Sequence, residues 1–325
     1  MMKKTLVALA AVAVTGGAFA QAVMTGYVAF GYSADTTSAG VLTSGMGLDD
    51  AEINFAVSEG IEGIGKLSGS MGFISGGRGA SASGRDTNIR ITGASGASIN
   101  FSNSLGGSYL TNGVASAGTA YQYDLSGRLF STRTINDAIT VKLPVAEGTS
   151  ISIAHSEGTV VSYWTGSGAA GDAVNSGQRY NTVSLDYAAG ALTANAGYRS
   201  YDNTQNNITS SANTRNRASV SYDLGAAKLG VGYEQTSYMY GNTLTDSLVG
   251  VNVPLSGALN IGAQMGTRSI SGQATAANNY NRTGTLLVAN YNLSKQTYLV
   301  ANYYSYDAGG TTNATGYGMF LYKGF

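Results

Sequence analysis

Apolar and polar residues alternate one by one along most of this chain. At the C-terminal end Tyr317, Met319, Leu321 and Phe325 share one parity with Lys323, while Gly318, Phe320, Tyr322 and Gly324 hold the other. A period of two belongs to a β-strand, whose successive side chains leave opposite faces. The same alternation predicts strands over 23–32, 51–57, 64–74, 87–93 and 97–103, and eleven more between 138 and 325. Sixteen strands result. The last runs to Phe325 with no tail over its edge, and in a soluble sheet such an edge would template aggregation. Pairing 315–325 with 23–32 closes the sheet and removes the edge.

Connections between the strands fall into two kinds. Tight turns at S-E-G-I-E-G, A-S-G, P-V-A-E-G, A-A-G, G-A, P-L-S-G and L-S-K alternate with longer loops rich in Asn, Thr, Ser and Gly. Short turns on one side and longer loops on the other predict an all-β, 16-stranded antiparallel transmembrane β-barrel, with short periplasmic turns and longer external loops. An even strand number puts both termini on the short-turn side. The stretch 104–132 stands apart, with Gly, Ser, Ala and two Tyr but no sustained period. A loop of that length in a compact architecture is usually functional or disordered.

Composition sharpens this reading. Charged residues make up 11% of the chain, against about 25% in ordinary soluble domains. Mean hydropathy is nevertheless close to zero, −0.01, and after the first 20 residues there is no apolar run of the length a spanning helix needs. Low charge with neutral hydropathy suits strands that face lipid on one side and water on the other. Residues 1–20 form an export signal, with Lys3 and Lys4, an apolar stretch from Leu6 to Val14, and a small-x-small site at Ala18-Phe19-Ala20. Residues 21–325 then form one barrel domain, without a linker, in the outer membrane. The chain has no cysteine, which excludes disulfides and thiolate metal sites.

Charge placement gives the barrel an inside. Lys66, Arg90, Lys142, Arg199, Arg217, Lys228 and Arg268 fall on one parity with Glu52, Asp186, Asp223, Glu234 and Asp246, and Lys323 alone lies on the lipid parity. A charge facing lipid at mid-membrane costs about 2–4 kcal/mol, so the segregation predicts a polar, water-filled lumen. A soluble sandwich would segregate charges too, but it would not explain so little charge overall. Together with Asp124, the one acid of the long loop, the inward residues carry a small positive excess. This predicts weak anion preference that salt screens. Lys66 and Arg90 are expected to matter most, because their strands stand nearest the loop in sequence.

Catalytic groups are scarce. The single histidine, His155, would need a nucleophile and an orienting group beside it to serve a barrel enzyme, and only Asp172 lies in the adjoining loop. Glu59 and Glu62 flank a tight turn, and Asp49-Asp50 is too small a set for a metal. Gly76-Gly77-Arg78-Gly79 lacks the Lys-Ser/Thr of a phosphate loop. No basic-aromatic patch suggests nucleic acid, and no cofactor is expected. A plugged structural or adhesive barrel is a further alternative. Ser68, Ser70, Gly230, Gly232 and Gly262, small and inward-facing, favour an open lumen.

Several local motifs resemble one known family. They are Val57-Ser58-Glu59-Gly60 leading into Gly65-Lys66-Leu67, the run Arg85-Asp86-Thr87-Asn88-Ile89-Arg90-Ile91-Thr92-Gly93, Asn292-Leu293-Ser294-Lys295-Gln296-Thr297, and the terminal aromatic. With the exported start, they make the chain similar to the general porins of Gram-negative bacteria, and most of all to their betaproteobacterial branch. The resemblance implies a homotrimer in outer-membrane lipid, and the polar lumen is expected to pass small hydrophilic solutes, with a weak preference for anions. It also implies that the third external loop, here 104–132, folds into the lumen as a constriction. Members typically line that constriction with an arginine cluster facing acids on the loop. This chain departs from that pattern, with Asp124 alone on the loop and mainly Lys66 and Arg90 on the neighbouring strands. It departs again at Lys323, where an aromatic or His is common.

Overall fold

Single-residue alternation is realised as strands whose apolar faces all turn outward. The computed structural model describes residues 22–75, 83–105, 108–119, 124–131, 135–159, 179–202, 212–273, 275 and 278–325; the export signal expected over 1–20 lies outside them. The strands are β1 (Val23–Thr36), β2 (Leu42–Ile61), β3 (Gly65–Ser75), β4 (Ser83–Gly93), β5 (Ser98–Leu105), β6 (Ile135–Ala146), β7 (Thr149–Thr159) and β8 (Arg179–Ala189). They continue as β9 (Leu192–Asp202), β10 (Ala212–Asp223), β11 (Lys228–Tyr238), β12 (Thr243–Pro254), β13 (Leu259–Ser271), β14 (Tyr280–Ser294), β15 (Thr297–Tyr306) and β16 (Ala314–Gly324). Each pairs antiparallel with its neighbours in sequence, and β1 pairs with β16 to close a sixteen-stranded barrel.

The seam runs from Tyr27 opposite Gly324 to Thr36 opposite Thr315. It extends one residue further, where the Phe325 N–H donates to the Gly26 carbonyl at 3.0 Å and the Gly26 N–H returns a bond at 3.2 Å. With the edges joined, neither end strand is left with an open ladder, which a hydrocarbon environment requires. Val28, Phe30, Met319, Leu321, Met265 and Leu287 stand on the outward face, each about half exposed. Tight turns join the strands on one side, as at Gly96 (φ 82°), whose N–H donates to the Gly93 carbonyl at 2.9 Å. Left-handed backbone of this kind is open to glycine at little cost.

Two loops on the other side are as short as these turns, so the expected alternation of short and long connections is not strict. β1 and β2 are joined by only 37–41, and β11 and β12 by 239–242. The expected loop over 33–50 is mostly strand. Its Gly/Ser/Thr composition reads as irregular, yet Met46 pairs with Tyr32 and Ser44 with Ala34. A bulge between Ala29 and Phe30 of the pairing, where Asp49 is the extra residue of β2, restores the inward parity of Asp50 and Glu52.

The polar-in, apolar-out rule breaks down along one side of the lumen. On β12–β16 the inward face carries Leu248, Leu286, Val288, Val300 and Phe320, all buried, in one cluster with Leu110, Leu125, Leu129 and Phe130 of the long loop.

Candidate functional site: the lumen and its docked loop

The long connection between β5 and β6 does not stay over the strands it joins. Its described parts, 108–119 and 124–131, lie along the inward face of β9–β16. Glycines make the room. A Cβ on Gly232 would come within 2.5 Å of Ala115 Cβ, one on Gly250 within 2.6 Å of the Ala115 carbonyl, and one on Gly266 within 2.6 Å of the Phe130 ring. Gly230, Gly262 and Gly284 lie under the same loop, beneath Ala115, Thr119 and Leu129. Gly230, Gly232 and Gly262, expected to leave the lumen open, therefore do the reverse: the loop fills the space above them. Over Ser68 and Ser70 no such packing occurs among the described residues.

Polar contacts fasten the loop as well. Gln264 Nε2 donates to Thr119 Oγ1 at 2.7 Å. Arg268 grips Asp246 with two bonds of 2.7 Å and gives a third, also 2.7 Å, to Ser131 Oγ. The Arg128 guanidinium lies 4.2 Å from the Tyr304 ring centre and donates to the Asp124 carbonyl at 2.9 Å. Asp124 itself is used within the loop. Its carboxylate accepts from Ser126 N at 2.7 Å, Thr111 Oγ1 at 3.1 Å and Asn112 Nδ2 at 3.2 Å. The one loop acid thus braces the loop from within.

Beside the loop, three guanidiniums lie on neighbouring strands, and two of them share one carboxylate. Arg217 Nε is 2.5 Å and Arg215 Nε 3.7 Å from Glu234, and Arg215 also donates to Thr236 Oγ1 at 2.8 Å. Arg199 donates to Thr182 Oγ1 at 3.1 Å and stacks 3.9 Å over Tyr180. Arg217 lies 4.8 Å from the ring of Tyr109, a loop residue whose hydroxyl donates to the Asn195 carbonyl at 3.4 Å. Burial pushes the Tyr109 phenol up, so it remains a neutral donor. β9, β10 and β11 put these arginines side by side, because Arg199 pairs with Arg215 across the strands and Arg217 with Glu234. Arg215 was not among the expected lining residues. The signal was the spacing Arg215-Asn216-Arg217, two bases on one parity.

The other expected lining residues sit elsewhere. Lys66 is the second residue of β3, against the short turn, and Arg90 lies opposite Ser68 and Asn100. Both keep the inward parity, but the described parts of the loop do not rest on their strands; they lie against the far wall. Lys142 is 3.8 Å from Asp186, and Lys228 opens β11 opposite Asp223, again at the short-turn end. Glu52 takes Arg85 at 3.1 Å and Asn54 at 2.7 Å. Hydroxyl and amide groups fill much of the rest of this wall, as where Asn88 Nδ2 donates to Ser70 Oγ at 2.6 Å. His155 shares the outward parity of Ile153, with Nδ1 2.9 Å from Asn181 Oδ1, so it has no place in the lumen. Asp172 lies outside the described residues.

A closed barrel with water-compatible side chains on one inner wall and a folded loop on the other defines a transmembrane β-barrel channel. The Gram-negative porin family model matches residues 5–311. The chain belongs to that family, and it is an outer-membrane diffusion channel. An anion-selective porin from Comamonas acidovorans shares the fold at a TM-score of 0.68 and 16% identity, covering 94% of this chain and 100% of that one. A loop-deletion mutant of OmpT, an outer membrane protein of Vibrio cholerae, gives 0.66 and 14%, covering 94% and 99%. A triple mutant of the Rhodopseudomonas blastica porin gives 0.62 and 13%, covering 94% and 100%. No curated protein matches the chain.

Proposed function

We propose that the loop over 104–132 narrows the lumen, and that the passage favours small hydrophilic anions weakly, with no chemical step. The carrying observation is the group Arg199, Arg215 and Arg217, set against the single carboxylate of Glu234 where Tyr109 meets the wall. Positive charge exceeds negative there. Its field acts mostly through water and is cut to a Debye length of about 8 Å at physiological salt. That the Comamonas porin is described as anion-selective agrees with this reading.

The finer assignment is an exported precursor, cleaved after residue 20, that assembles as a homotrimer. On β1, β2 and β16 the outward apolar row climbs to Tyr32, Met46 and Tyr317, whereas at the corresponding end of β13 it gives way to Thr267 and Ser269. The higher apolar wall suits contact between copies.

Reversal potentials in a salt gradient across a planar bilayer test the selectivity. The wild type should favour anions, less so as salt rises. Arg199→Gln with Arg217→Gln should move the potential toward cations, and Lys66→Gln with Arg90→Gln should move it the same way by less. A strongly cation-selective wild type would refute the assignment.

A further inference from the structure

Toward the short-turn end, the inner wall from β14 across the seam to β2 carries a row of aromatic and amide groups that adjoins the apolar bed of the loop. Tyr298 and Tyr322 are register partners, and their rings stack with planes 5° apart and centres 4.8 Å apart. Tyr27 continues the row, its ring 5.9 Å from that of Tyr322. Its hydroxyl donates to Asp50 Oδ2 at 2.8 Å. At the other end Asn292 pairs with Tyr298, and Asn290 stands one inward position above it. Thr119 of the loop lies over Gly262, two residues from Asn260, the register partner of Asn290. The row therefore starts at the lower margin of the loop. Asn290 is 8% exposed and Asp50 6%. Among the described residues no donor reaches Asn290 Oδ1 or Asp50 Oδ1. A buried acceptor without a donor is costly, and two of them flank three aromatic rings here.

We propose that this row binds a neutral pyranose sugar on its way through the lumen. A pyranose has a flat C–H face that lies on an aromatic ring, and a rim of hydroxyls that both donate and accept. Tyr298 and Tyr27 are only half-buried and offer their rings. Asn290 and Asp50 accept from the hydroxyls, while exposed Asn292 donates to them. Charge argues for a neutral ligand. Glu52 is already paired with Arg85 at 3.1 Å, and Asp50 accepts from an uncharged phenol, so an anion would be repelled. The site deepens the reading of the lumen as a passage for small hydrophilic solutes, and rests on it, by naming a class that lingers there. It lies across the lumen from Arg199, Arg215 and Arg217.

Ionic current through single channels in a planar bilayer is titrated with glucose and, separately, with sorbitol, an open-chain polyol that has hydroxyls but no ring face. Sorbitol should lower the current only in step with the viscosity of the solution, whereas glucose should lower it further and saturably. Tyr298→Leu keeps an apolar side chain and removes the ring, and it should weaken glucose binding roughly tenfold. If that variant forms no channels, Asn290→Ala carries the same test. Equal effects of glucose and sorbitol on the wild type, or undiminished glucose block in the variant, overturn the proposal. Reversal potentials on the same membranes keep the two readings apart. Anion preference without glucose block sinks the sugar site alone; glucose block in a pore without anion preference upholds the site and refutes the selectivity.

Discussion

Arg268 is 1% exposed and Asp246 3%, in a tube whose other wall is open to water. Their bidentate pair, with the added bond to Ser131, ties β12 and β13 to the loop. Removing one partner of a buried pair leaves the other charge without compensation, at a cost of about 3–5 kcal/mol. Asp246→Ala should therefore lower the temperature at which the detergent-solubilised barrel unfolds on a gel, and it should make the open channel noisy as the loop loosens. Asp246→Asn, which keeps one acceptor, should lie between. Identical behaviour of all three proteins would show that the pair contributes nothing to loop seating. At this scale the sequence was partly informative. Parity placed Arg199, Arg217 and Arg268 on the inner face, but distance along the chain misled for Lys66 and Arg90, because residues close to the loop in sequence are not those it touches. The role of Asp124 was hidden as well, since Thr111, Asn112 and Ser126, from which its carboxylate accepts, belong to a stretch with no period.

At the scale of elements, glycines and large side chains divide the inner face of β11–β16 into a bed shaped to the loop. Adding bulk to that bed and deleting the loop should have opposite effects. With Gly250→Val the wall takes up volume now held by Ala115 and Ser116, so the loop is driven toward the pore centre and conductance should fall. Deleting 108–131 empties the space, so conductance should rise and larger sugars should enter. Planar-bilayer recordings and liposome swelling would read both; a deletion without effect on either would assign the loop no part in narrowing the pore. Strand existence was legible throughout, because alternation survives error at the ends. The extension of β2 was not, since Thr43, Ser44, Gly45 and Gly47 read as loop until Met46 is seen opposite Tyr32. The docking wall did leave a trace. Leu248, Leu286, Val300 and Phe320 put apolar groups on the parity that elsewhere carries Ser, Asn and charge, and inward apolar groups need something to cover them.

For the whole molecule, closure is the defining event, and it can be tested at one position. Val28 and Lys323 are register partners on the outward face of the β1–β16 seam, in a chain without cysteine. Val28→Cys with Lys323→Cys should oxidise to an internal cross-link in the membrane-inserted protein, visible as a mobility shift that reductant reverses. A barrel left open at the seam would give none. The position of the loop also bears on how such a barrel is made. The loop leaves the sheet after the fifth strand, yet its resting place is built from the ninth to the sixteenth, so most of its contacts join segments far apart in sequence. Contacts of that kind form late and slow the search for the native state. Once the last seam zips the wall is continuous, and a loop that seats afterwards must enter through the mouth of the barrel. A partly rolled sheet that accepts its own insert before sealing avoids that detour, so changes at Gly250 or Gln264, which touch the loop, should slow biogenesis as well as alter the current.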